Sequence, residues 1–274
     1  MIGKDGSLSI TAPGQKVTWF QFLQASRFAT SEKGGWNSKT HWVELGLDKL
    51  HPLLVKQWTR RSLKDNALPK PRNRDSKLVR EDTSPRREAE RSGKEALKLG
   101  IDELTENEIN AVLHAKNQWP TDWGDFLSYE VPLADESCGQ LKIDLIGKGK
   151  NLMTNDGFLS LVELKQAHSP KNSPLMALTE VICYAIQIGR CKKYLGKEIF
   201  NGSFKTIRLI LAAPETYWAC WDVKKQPNHF RKMNNIVESV NEILSPEFKF
   251  KLNLELVSLL CENDRIEVNP ICFQ

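Results

Sequence analysis

The chain has 274 residues, 40% hydrophobic and 27% charged, with a formal net charge of +5. Such a composition belongs to a globular protein, either one large domain or one domain with a substantial extension. No stretch approaches the roughly 18 consecutive apolar residues that a membrane-crossing helix needs. The opening "MIGKDGSLSI" lacks the basic-then-apolar pattern of a secretory signal, so a cytoplasmic location without a membrane partner is expected. Cys138, Cys183, Cys191, Cys220, Cys261 and Cys272 are scattered with no C-x-x-C pair, which argues against structural zinc and for free thiols.

In chain order, residues 1–61 come first and carry Trp19, Phe20, Phe22, Phe28, Trp36, Trp42 and Trp58. That is too aromatic for a disordered tail. The expectation is a small accessory or partner-binding domain packed on these rings; base stacking by them is the alternative. Residues 62–82 hold Pro69 and Pro71 with little apolar periodicity and read as a basic linker or arm. Eight basic residues between Arg60 and Arg80 face only Asp65 and Asp75. Arg60, Arg61, Lys70, Arg72, Arg74, Lys77 and Arg80 are therefore candidates for contacts to a polyanion. A solvated linker held open by its own charge would look the same.

Residues 83–274 read as the main domain. Thr83 or Ser84 starts a helix that Gly100 ends. A second helix, "TENEINAVLHAKN", opens with Thr105 and Glu108 in a capping box and sets Ile109, Val112 and Leu113 on one face. Three strand signals follow, at 126–133, 139–147 and 158–166, separated as in a hairpin-connected meander. A helix from about Pro174 to Tyr194, a strand at 204–214, a helix at 229–244 and a strand at 250–260 complete the pattern. The order predicts an α/β domain with a mixed central β-sheet flanked by helices.

Within these strands three charges stand out. Asp144 interrupts the second strand, and Glu163 and Lys165 interrupt the third, all opposite the main apolar set of their strands. Side chains alternate across a strand, so Glu163 and Lys165 share one face. Buried carboxylates are costly unless paired or bound to a cation. Asp144 and Glu163 with a backbone carbonyl suit a hard divalent ion. Lys165 beside them suits phosphodiester hydrolysis, orienting water and offsetting developing negative charge.

The "IDL" at 143–145 followed by "ELK" at 163–165 resembles the PD-(D/E)XK nuclease superfamily, over roughly residues 100–215. That resemblance implies a restriction endonuclease-like core, with the N-terminal residues as an extension. It further implies Mg²⁺ or Mn²⁺ bound by Asp144, Glu163 and the carbonyl of Leu164, with Lys165 as the catalytic lysine. The residue before the Asp is Ile143, where the family's nominal pattern has Pro. Many members add a Glu, for which Glu130 and Glu108 are the candidates, or neither; some carry a Gln or Tyr on the next helix, here Tyr184 and Gln187. The expected activity is that of a metal-dependent DNA endonuclease, as a homodimer or as a subunit of a defence, transposition or phage-related complex. The alternative is a catalytically silent module of the same fold that binds nucleic acid or a protein. His168 lies just beyond the motif, within reach of a phosphate or free of any role. No G-x-S-x-G, P-loop or G-x-G-x-x-G occurs, which leaves acyl transfer and nucleotide-dependent chemistry without support.

Overall fold

The computed structural model describes residues 84–115, 118–132, 142–168, 173–191, 204–223, 227–244, 246 and 248–271. The expectations for residues 1–61 and for the arm at 62–82 lie outside the described residues.

Two helices lead into the sheet, α1 (Ser84–Leu97) and α2 (Glu106–His114). The capping box that starts α2 is formed: the Glu108 N–H donates to Thr105 Oγ1 (3.3 Å), and the Thr105 N–H to Glu108 Oε2 (2.9 Å). Among the described residues six strands then form one sheet in sequential order: β1 (Asp125–Pro132), β2 (Lys142–Lys150), β3 (Gly157–Leu164), β4 (Phe204–Pro214), β5 (Lys251–Glu262) and β6 (Arg265–Pro270). The pairs β1/β2, β2/β3 and β5/β6 are antiparallel, whereas β3/β4 and β4/β5 are parallel. Parallel neighbours need crossovers. Helix α3 (Pro174–Cys191) supplies the first, and α4 (Glu215–Cys220) with α5 (Pro227–Leu244) the second. The chain is thus an α/β fold with a mixed sheet.

Both faces of the sheet are covered. Leu159, Leu161, Leu209, Leu211, Leu254 and Leu256 pack with α3 and α5 on one side. On the other, Val162, Leu164, Ile210, Ala212, Val257 and Leu259 pack with Leu97, Ile109, Val112 and Leu113 of α1 and α2. Double coverage explains why "FLSLVEL" and "IRLILAAP" are apolar on successive residues rather than alternately.

Three departures from the sequence expectations bear on the site. Strand β2 runs on to Lys150, three residues past its expected end at 147. Glu163 does not oppose the apolar set of β3, because with both faces buried it continues the row of Leu159 and Leu161. The chain also folds back once more after β5, with Asn263 (φ 50°) and Asp264 (φ 59°) making a two-residue turn into β6.

Two glycines in the "GKGK" at 147–150 of β2 sit where neighbouring chain comes close. A Cβ on Gly147 would run into the Trp123 carbonyl, and one on Gly149 would lie 2.5 Å from the Phe158 ring. These close approaches lie on one face of β2, and by alternation Asp144, Ile146, Lys148 and Lys150 take the other.

Candidate active site

The β2/β3 ladder opens at the predicted motif. Its last pair is Leu145 with Val162. Beyond it β2 continues alongside β1, as far as Lys142 opposite Pro132. Strand β3 stays instead with β4, through Leu164 opposite Ala212 and the Lys165 N–H on the Ala212 carbonyl (3.0 Å). The next residues in register across the opening are Asp144 and Glu163, which therefore share one face of the sheet. In place of a backbone partner, the Leu164 N–H donates to Asp144 Oδ2 at 2.7 Å.

Asp144, Glu163 and Lys165 are thus brought together. Lys165, 3% exposed, donates its Nζ to Glu163 Oε1; Glu163 is 4% exposed and its Oε2 has no partner among the described residues. Two further carboxylates surround the ammonium, Glu180 Oε2 of α3 at 3.7 Å and Glu106 Oε2 of α2 at 3.9 Å. The sequence reading missed both. Glu108 was its candidate on α2, but the capping box and a Ser92 hydrogen bond hold that side chain at the helix end and keep its carboxyl below the usual range, against the upward pull of burial. Since the cap takes Glu108, Glu106 is the first-turn acid left for the site. Glu180 did carry a signal, as the lone charge in the apolar run 174–189.

Four acids around one base carry an excess of negative charge, and the site's protonation reflects it. Burial pushes Asp144 up to about 7; Lys165 pulls it down, and Glu106 adds to the rise. Burial likewise lifts Glu163 well above the carboxylate range, with Asp144 and Glu180 contributing. Glu106 is raised for the same first reason. Burial would lower Lys165, but Glu163, Glu180, Glu106 and Asp144 together outweigh it and keep the ammonium charged. The cluster therefore retains protons that a divalent cation would displace.

The donor set fits such a cation. Mg²⁺ keeps several waters and is usually held by one or two carboxylates. Asp144 and Glu163 supply two, and the unpaired Glu163 Oε2 is a buried acceptor without a donor. Among the described residues no group of three or more His, Cys, Asp or Glu side chains is arranged around one metal position. Any ion here would complete its shell with water, a main-chain carbonyl or substrate oxygens.

No family model, curated protein or solved structure matches the chain.

The other expected residues fall as follows. Tyr184 is buried on α3, and its hydroxyl is raised well above its ordinary range by burial and then by Glu163. The side chains of Glu130, on β1, and of Gln187, on α3, lie outside the described residues, as do Arg60, Arg61, Lys70, Arg72, Arg74, Lys77 and Arg80. His168 is exposed in the turn after β3, and His114 packs edge-on against Phe126 and Tyr129. A pocket of about 300 Å³ lies elsewhere, between Trp119, Arg208, Glu255 and Arg265. Its Arg208 is already held by a two-pronged bond to Glu255, 2.6 Å on each side. Among the described residues no helix is long and apolar enough to cross a membrane.

Proposed function

We propose that the chain is a metal-dependent nuclease hydrolysing phosphodiester bonds, a DNA endonuclease with a restriction endonuclease-like core of the PD-(D/E)XK kind. The observation that carries the reading is the opening between β2 and β3. Two carboxylates from adjacent strands share one face there, and Glu163 carries both the buried ammonium, on one oxygen, and a second buried oxygen unpaired among the described residues. Asp144 and Glu163, with the carbonyl of Leu164, would hold Mg²⁺ or Mn²⁺. Such an ion polarises a phosphoryl oxygen and lowers the pKa of an attacking water. Lys165 orients that water and offsets the charge that develops on the phosphoryl group, at a site dry enough for its field to count. The basic arm from Arg60 to Arg80 adds sequence-independent phosphate contacts that weaken as salt rises.

The test is plasmid cleavage with Mg²⁺ by the wild-type chain, Asp144→Ala and Lys165→Ala. Cleavage by the wild type alone is expected; equal cleavage by all three would reject the site. The contact between Lys165 and Glu163 favours a second reading, in which the ammonium permanently fills the cation position and the fold is a silent nucleic-acid-binding module. That reading predicts retention of DNA in a gel shift with no cleavage under any divalent ion.

A further inference from the structure

Helix α2 brings a second residue to the opening, one turn beyond Glu106. Asn110 is 3% exposed, on the helix whose Ile109, Val112 and Leu113 belong to the apolar layer over the sheet. Its Nδ2 donates to the main-chain carbonyl of Asp144 at 3.0 Å, and its Oδ1 is buried with no partner among the described residues. An amide that leaves its oxygen unpaired in an apolar layer is a poor choice for packing, since leucine would fill the space without a desolvated acceptor. What the amide supplies and leucine cannot is the donor. It acts where β2 has just lost β3, so the Asp144 main chain has no strand on that side to hold it.

We propose that Asn110 is a positioning residue for Asp144, fixing the strand that carries the carboxylate at the distance from Glu163 that a shared cation requires. The inference rests on the nuclease reading above. The anchor is itself secured. Arg86 donates to the Asn110 carbonyl (2.8 Å) and stacks 3.9 Å over the Tyr129 ring, whose residue pairs with Leu145 next to Asp144. Helices α1 and α2 and strands β1 and β2 thereby form one frame around the Asp144 backbone. The Asp144 carboxylate is held separately, by the Leu164 N–H. Main chain and side chain of Asp144 are thus held by different elements, helix α2 and strand β3.

The test is Asn110→Leu in the full chain, with Asn110→Ala beside it in case the larger side chain disturbs folding. Mn²⁺ binding is measured by electron paramagnetic resonance and DNA cleavage by initial rates, with melting temperatures recorded. Loss of an outer partner of a metal ligand weakens metal affinity or activity roughly 10- to 100-fold. The expected result is a rise of that order in the Mn²⁺ concentration for half-occupancy and a matching fall in kcat, with KM for DNA unchanged and Asn110→Leu melting near the wild type. A variant that melts lower yet keeps wild-type Mn²⁺ affinity would assign Asn110 to packing and overturn the proposal. If the wild type binds no Mn²⁺, the nuclease reading and this inference fall together. If it binds and cleaves, and Asn110→Leu does so equally, the inference falls alone.

Discussion

Replacing Lys165 by methionine removes from the carboxylate cluster the cation that touches it among the described residues, while keeping most of the stem's bulk. Its side chain is 4% exposed and that of Glu163 5%, so solvent cannot take over the lost charge. Removing one partner of a buried pair costs about 3–5 kcal/mol because the other charge is left uncompensated. Glu163 can escape by taking a proton, at about 1.4 kcal/mol per pH unit above its raised pKa. The loss must therefore depend on pH. At about pH 8 the variant should be less stable by about 3 kcal/mol or more, a fall in melting temperature of roughly 6–12 °C for a domain of this size. Near pH 5, with Asp144 and Glu163 holding their protons, the deficit should shrink to about 1 kcal/mol, the order of the lost hydrogen bonding. Urea unfolding of wild type and variant at both pH values, in metal-free buffer, gives the comparison. Equal losses at the two pH values, or none, would show that the ammonium does not balance these acids.

Asp144→Asn tests the protonation of the site itself. The folded carboxyl keeps its proton up to about pH 7, while in the unfolded chain it loses it near the ordinary value of 3.8. Between those values the folded state binds more protons, so this group makes stability fall as pH rises, by at most about 1.4 kcal/mol per unit. The asparagine variant should flatten that slope in denaturant titrations without metal, and an unchanged slope would contradict the assignment. Gly147→Ala places a methyl against the Trp123 carbonyl and should cost about 1–3 kcal/mol in a thermal melt. Because it moves the strand that bears Asp144, cleavage should fall further than the lost folded fraction explains; activity tracking that fraction alone would count against the coupling.

The parts of the fold legible in the sequence were those where one physical demand dominates. Strand β4 was read at its observed bounds, 204–214, because a strand buried on both faces by parallel neighbours must be apolar throughout. The capping box and the shared face of Glu163 and Lys165 were legible for a similar reason, since spacing and alternation fix them locally, whereas Asp144 reaches them through the pairing of β2 with β3. Strand β6 was missed because its residues are mostly exposed and carry little apolar pattern, although the Asn263–Asp264 pair was a turn signal. The extension of β2 to Lys150 was hidden because Gly147 and Gly149, which lie close to Trp123 and Phe158, break the hydrophobic alternation there. Glu106 and Asn110 belong to the site only through the docking of α2 on the sheet, a long-range contact that no local spacing encodes.

The central claim is that Asp144 and Glu163 form one cation site between β2 and β3. Anomalous diffraction from crystals of the full chain soaked in Mn²⁺ tests it most directly. The account predicts a single strong peak within about 2.0–2.3 Å of a carboxylate oxygen of each residue, with the Lys165 ammonium displaced from Glu163 but still close by. A fully occupied Mn²⁺ site elsewhere, with Lys165 still seated on Glu163 and nothing bound between the two acids, would contradict it.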